Sequence, residues 1–135
     1  MKAAGILLMI ALFCGTGFAQ ESVQKVFNSS IASDGVQRVS VSAGEYFFDP
    51  NYIVVKVNTP VELSIKKTDG FVPHNIVMES PEAGIAFDES IGKDEKVIRF
   101  TPTKTGEFPF YCTKRFLFFK SHREKGMKGI VKVIE

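Results

Sequence analysis

The sequence predicts an all-β protein, a Greek-key antiparallel β-sandwich. Short apolar runs recur at regular spacing, Pro, Gly and Asp punctuate them, and no long amphipathic helical pattern interrupts them. The 135 residues suggest one domain. About 100 residues suffice to close one core between two sheets.

Residues 1–19 read as a secretory leader. Lys2 supplies the positive start, AAGILLMIALF is an apolar run too short to span a bilayer comfortably, and Gly17-Phe18-Ala19 is a small-x-small cleavage site. Cleavage after Ala19 would leave no transmembrane anchor and an exported, periplasmic chain. Cys14 offers a competing lipidation site, but Phe13 is bulky where such a site needs a small residue. A retained anchor helix is the other alternative. Residues 20–35 form a polar arm, with scattered Val, Phe and Ile that would allow a first strand or a helical turn.

The domain proper is expected over residues 36–135. Val36, Arg38-Val39 and Val41 alternate loosely. Tyr46-Phe47-Phe48 is short and aromatic and is stopped by Asp49-Pro50. Tyr52 to Val57 is rich in β-branched residues, which favour a pleated surface. Val61, Leu63 and Ile65 alternate with Glu62, Ser64 and Lys66, the period of a half-buried strand. Asn75 to Met78 is a further short strand, and Pro81 to Ser90 reads as a loop with room for one helical turn. Val97, Ile98 and Phe100 precede Pro102, and Phe108–Cys112 and Ile130–Ile134 finish the set.

Lys2 is the only charged residue of the leader. Seventeen basic side chains therefore fall to sixteen in the mature chain, against fifteen acidic, a net of +1. Such a balance argues against nucleic-acid binding by bulk charge. The distribution is uneven. Residues 79–95 hold Glu79, Glu82, Asp88, Glu89, Asp94 and Glu95 against Lys93, whereas 104–128 hold seven cations against Glu107 and Glu124.

The chemistry concentrates in residues 108–133. Cys112 ends a strand, His122 and Met127 lie on the loop that follows, and His74 stands alone in VPHNIVM. Singly, each has a bland explanation: a buried small Cys, a satisfied His, a Met that fills space. Together they offer one thiolate, two imidazoles and a thioether. That is the ligand set of a trigonal blue-copper site with a weak axial ligand. Thiolate and thioether suit Cu(I), and imidazole suits both oxidation states. Cys112 is also the only Cys beyond the leader, so no internal disulfide can form, and metal ligation would protect its thiol after export.

These segments resemble the cupredoxins, the plastocyanin and azurin class of small copper proteins. GFVPHNIVM is similar to the family segment that carries the first His ligand. TGEFPFYC is similar to the strand that delivers the Cys, and His122-x4-Met127 followed by Gly129 is similar to the family ending. One departure stands out: nine residues separate Cys112 from His122, far more than the family's plastocyanin-like loops hold.

The resemblance implies one copper per chain, cycling between Cu(I) and Cu(II). Its ligands would be His74, Cys112 and His122, with Met127 axial, and an exposed second His would offer an exit for electrons. It also implies that the Asn75 side chain pins the ligand loop. Gly126 and Gly129 would allow tight turns around Met127, and Gly70 the turn before Val72-Pro73.

The inserted run Lys114, Arg115, Phe116, Leu117, Phe118, Phe119 and Lys120 places four large apolar residues between cations. It would serve as a docking face for a redox partner with an acidic surface, or fold back and cap the sandwich. The leading expectation is thus a periplasmic one-electron carrier with a type 1 copper site, and not an enzyme, since no catalytic motif is recognisable. A copper-trafficking or copper-storage module of the same fold is the alternative, and a structural zinc site is a third option. A dinuclear copper site would need a second Cys in the loop, and only Cys112 is there.

Overall fold

A computed structural model describes residues 23–68 and 70–135. The leader, its cleavage site and Cys14 lie outside the described residues. Among the described residues ten strands form two sheets: β1 (Val26–Asn28), β2 (Gln37–Gly44), β3 (Phe47–Asp49), β4 (Tyr52–Lys56), β5 (Val61–Lys67), β6 (His74–Ser80), β7 (Ile85–Ile91), β8 (Lys96–Phe100), β9 (Gly106–Tyr111) and β10 (Lys128–Ile134). One sheet runs β1-β4-β10-β9-β6-β7 and the other β3-β2-β5-β8. The sandwich is the expected one. Both sheets are mixed rather than purely antiparallel, because β1 and β10 each lie parallel to β4, and β2 lies parallel to β5. Parallel neighbours need long connections rather than hairpins, and here the chain crosses between the sheets to supply them.

Alternation places the core. Val39, Val41 and Ala43 of β2, Ile53 and Val55 of β4, and Val61, Leu63 and Ile65 of β5 are buried, with more exposed residues between them. The two sheets meet through Phe48 and Phe110, whose rings are 5.2 Å apart at 67°. Strand β6 departs from alternation: paired on its two edges with β7 and β9, it has every residue but Glu79 buried.

Two segments differ from expectation. Pro81 to Ser90 is mostly strand: a single 3-10 turn at Pro81–Ala83 leads directly into β7. The density of acidic residues obscured the period-2 pattern of IAFDESI, and an edge strand tolerates such charge because one flank stays in water. The polar arm contributes β1, which extends the larger sheet by pairing with β4. The arm is fastened by Gln37, a wholly buried side chain. Gln37 donates to the carbonyls of Lys56 and Thr59 and accepts from the Lys56 N–H and the Ser29 hydroxyl. Its full set of partners offsets the cost of burying an amide.

Gly129 serves packing rather than a turn. A Cβ there would come within 2.3 Å of the Phe110 ring and 2.5 Å of the Asn51 carbonyl oxygen. Backbone cannot yield as a flexible side chain can. Gly129→Ala is therefore expected to destabilise the fold by about 1–3 kcal/mol through overpacking. A urea midpoint unchanged from wild type would contradict this packing account.

Candidate metal centre

The period of two in β6 and β9 carries the first two candidate ligands. His74 opens β6 on the same face as Ile76 and Met78, and Cys112 follows Phe108 and Phe110 one residue past the end of β9. Ile76, Met78, Phe108, Phe110 and Cys112 all belong to the core cluster. Both side chains thus arrive at one end of the sandwich, on its inner side.

The long loop from Cys112 to Lys128 returns to the same place. The Cys112 N–H donates to the Met127 carbonyl at 3.1 Å, and the Met127 N–H donates to the His122 carbonyl at 2.9 Å. The His122 N–H donates to the Lys114 carbonyl at 2.9 Å, which closes off residues 115–121 as an excursion. A capping box starts the turn that holds His122. The Ser121 backbone N–H donates to the Glu124 carboxylate at 2.7 Å, and the Glu124 N–H donates to the Ser121 hydroxyl at 3.3 Å. Gly126, at φ +107°, turns the chain back toward β10.

The result is a compact donor cluster. His74 Nδ1 lies 3.2 Å from His122 Nδ1, and Cys112 Sγ lies 3.5 Å from His122 Nδ1. The ligand atoms of these three residues all fall within 4.8 Å of one another. Nitrogen and sulfur donors about 2.0–2.3 Å from a shared ion would sit roughly 3.3–3.8 Å apart. The His74–His122 and Cys112–His122 pairs are close to that spacing, and the 4.8 Å limit of the set leaves the His74–Cys112 pair to close around an ion. Met127 is wholly buried in the same core cluster as Cys112.

His74 and His122 are 2% and 1% exposed, so His122 does not present the open edge that the family resemblance implied. The Nε2 atom of each ring is buried without a hydrogen-bond partner. Burial pushes the His74 imidazole down to about 4, helped by His122 and Lys67 and opposed by Glu45. Burial also lowers His122, helped by Lys125 and opposed by Glu45. Both rings are therefore neutral at pH 7, the state a metal ligand requires.

Asn75 ties the two candidate-ligand segments together. Its Oδ1 accepts the Thr113 N–H at 2.9 Å, and its Nδ2 lies 2.8 Å from both the Thr113 hydroxyl and the Asp88 carboxylate. Next to His74 in sequence, Asn75 thus grips the residue that follows Cys112.

A family profile for the cupredoxin-like domain matches residues 5–128. The chain belongs to the cupredoxin-like family. Among solved structures, the cupredoxin is similar to the metal-binding domain of the Streptococcus pneumoniae D39 Cu(I)-exporting P-type ATPase CopA, in its structure with Cu(I). The two are 27% identical with a TM-score of 0.63, over 84% of this chain and 100% of that one. The dithionite-reduced auracyanin of Roseiflexus castenholzii is 21% identical, with a TM-score of 0.58 over 73% of this chain and 97% of that one. The periplasmic domain of cytochrome oxidase subunit II from Bradyrhizobium japonicum is 20% identical, with a TM-score of 0.53 over 73% and 83%. The last two likenesses concern the fold alone. No curated protein matches the chain significantly in sequence.

The inserted run is turned outward. Phe116, Leu117, Phe118 and Phe119 are 62%, 69%, 86% and 50% exposed, so they do not cap the sandwich. The Phe119 N–H donates to the Phe116 carbonyl, and the Phe118 and Phe119 rings stack at 5.1 Å. Of the flanking cations, Arg115 lies 3.6 Å from the Glu124 carboxylate. Sequence reasoning missed Tyr46, whose ring stands 4.8 Å from that of His122 and 6.4 Å from that of His74. Nothing in a turn tyrosine 28 residues before His74 signals that contact. The Ser121-x-x-Glu124 spacing, by contrast, was a legible helix-start signature.

The imidazoles give the metal-free cupredoxin a definite pH dependence. His74 stays neutral in the folded chain down to about 4 but protonates near 6.5 once unfolded, and His122 is lowered in the same direction. The unfolded state then binds more protons across the window from 6.5 to about 4, so stability falls as pH falls through it. Urea midpoints of the metal-free protein should drop across that window, and His74→Gln should flatten the slope. An equal slope in wild type and variant would show that His74 does not titrate this way.

Proposed function

We propose that this cupredoxin is a one-electron carrier with one type 1 copper per chain, held by His74, Cys112 and His122, with Met127 as a weak axial ligand. The convergence of one thiol and two neutral imidazoles at the buried end of the sandwich carries the proposal. Copper, when bound, supplies a one-electron couple between Cu(I) and Cu(II). The chain supplies the rest. Cys112 would bind as thiolate, the two Nδ1 atoms as neutral donors, and the Asn75–Thr113 hydrogen bonds would keep the thiol-bearing segment in place. Close packing around the donors would resist rearrangement between oxidation states. The chain moves an electron and converts no substrate.

Copper loading is expected to give one copper per chain, an intense thiolate-to-Cu(II) band in the visible, and reversible oxidation and reduction in voltammetry. Cys112→Ser should abolish the band, while Met127→Leu should retain copper and raise the potential. A protein that stays colourless with Cu(II) under oxidising conditions is no electron carrier.

A second role, copper trafficking, is favoured by the likeness to the metal-binding domain of a Cu(I)-exporting ATPase. Tight Cu(I) binding without a reversible Cu(II) state would decide for it.

The insert is the proposed docking face. Its exposed apolar side chains are flanked by Lys114, Arg115 and Lys120, a composition suited to a small, transient interface with an acidic redox partner. Replacing Lys114, Arg115 and Lys120 by Gln should slow association with that partner and reduce its salt dependence, leaving the copper spectrum unchanged. Rates indifferent to both salt and substitution would remove the electrostatic docking role.

Export to the periplasm is proposed from the leader sequence. Among the described residues no helix is long and apolar enough to cross a membrane. Protein recovered from its native envelope should have a mass corresponding to a chain beginning at Gln20, with residues 20–35 as arm and 36–135 as copper domain. A lipid-modified Cys14 at the N-terminus would replace the free carrier with an anchored one.

A further inference from the structure

His74 and His122 are almost completely buried, yet both sit at the end of the sandwich. His74 is the first residue of β6, and His122 lies in a loop where Arg123, Glu124 and Lys125 are exposed. Tyr46 contributes to that burial. It leaves the turn between β2 and β3, and its half-buried ring packs against the core. The ring meets His122 at 4.8 Å, tilted by 58°, and His74 edge-on at 6.4 Å. Over the tyrosine ring stands Lys125 Nζ, 4.1 Å from its centroid. Lys125 belongs to the same turn as His122, its N–H donating to the His122 carbonyl at 3.1 Å, so one hydrogen-bonded turn carries both the cation over the ring and the imidazole beside it.

Resting on the assignment of His74, Cys112 and His122 as metal ligands, we infer that Tyr46 is the lid of the centre. Its ring, steadied by Lys125, keeps water and small anions from the imidazole pair and limits how fast a bound metal can leave. The aromatic ring does the covering, and the phenol hydroxyl keeps one end of a half-buried side chain compatible with water. The attraction between the ammonium and the ring face favours the closed position. A tyrosine that only filled the core would affect stability without affecting access to the imidazoles, and access can be measured.

The full chain is treated, metal-free, with diethyl pyrocarbonate, and the modification rate at His122 is followed by peptide mass spectrometry. Wild type and Tyr46→Phe should both react far more slowly than the urea-unfolded chain, because the ring and not the hydroxyl shields. Tyr46→Leu, which keeps apolar packing, should react about tenfold faster, since access no longer waits for the ring to swing aside. Lys125→Ala, a surface change that leaves the core intact, should give a smaller increase. The lid is refuted if wild-type His122 reacts at the unfolded rate. It is equally refuted if folded Tyr46→Leu reacts like wild type. Should Tyr46→Leu not fold, an unchanged rate in Lys125→Ala refutes it.

A copper arm separates the two proposals. Azide should leave the spectrum of Cu(II)-loaded wild type unchanged and add an azide-to-copper band in Tyr46→Leu. Failure of wild type to bind copper at all would overturn the ligand assignment, while the metal-free rates would still judge the shield over the histidines. An azide band already present in wild type would overturn the lid alone.

Discussion

The candidate metal end depends on the backbone hydrogen bond from the Cys112 N–H to the Met127 carbonyl. Cys112 is placed by β9 and His74 by β6, two neighbouring strands whose inner faces need only the ordinary alternation of side chains. His122 and Met127 have no such frame, because they lie at the far end of a loop of unusual length. The clasp at 3.1 Å continues the β9–β10 ladder by one more pair and brings the end of the loop back to its start. The Met127 N–H to His122 carbonyl bond then fixes the histidine relative to that clasp. The His122 to Lys114 bond shuts off the excursion on the near side, so residues 116–120 lie outside the hydrogen bonds that set the donors, whereas Ser121 caps the turn that holds His122.

Burial and neutrality support each other at this site. Each imidazole would be costly to ionise away from water, so burial holds both neutral at pH 7. Neutral rings can stand 3.2 Å apart without charge repulsion. The same exclusion of water strengthens the Asn75 hydrogen bonds, which link the segment after Cys112 to β6 and, through Asp88, to β7. The acidic edge strand and the loop after Cys112 are thereby joined through one amide. The orphaned Nε2 atoms show that this arrangement is not fully satisfied as a purely structural hydrogen-bond network.

The surface around the centre divides into two parts of different character. Tyr46 and Lys125 close over the imidazoles, while the stacked Phe116, Phe118 and Phe119 rings project from the same loop into solvent. Leu117, at φ +48°, adopts the left-handed conformation at the tip, which costs a branched residue about 1–2 kcal/mol. An exposed apolar patch is an unfavourable feature for an isolated domain. Here it is concentrated on one excursion and kept apart from the packing that forms the core.

The sequence alone determined the sandwich, most strand positions and the candidate donor residues. Each of these depends on information local to the chain: the alternation Val61-Leu63-Ile65, the turns at Asp49-Pro50 and Pro102, and rare residue types in a fixed order. Strand β7 was missed because its outward Asp88 and its Glu89 and Ser90 hide the alternation, and only a place at the sheet edge makes such a strand tolerable. The parallel pairing of β1 with β4 had no local signal, since pairing direction depends on which strands the crossovers bring together. The outward turn of the Phe run, the burial of His122 and the cover supplied by Tyr46 were decided by tertiary structure alone. Contacts between residues 46 and 122 follow from how two sheets close on one another, and no spacing along a single segment encodes that closure.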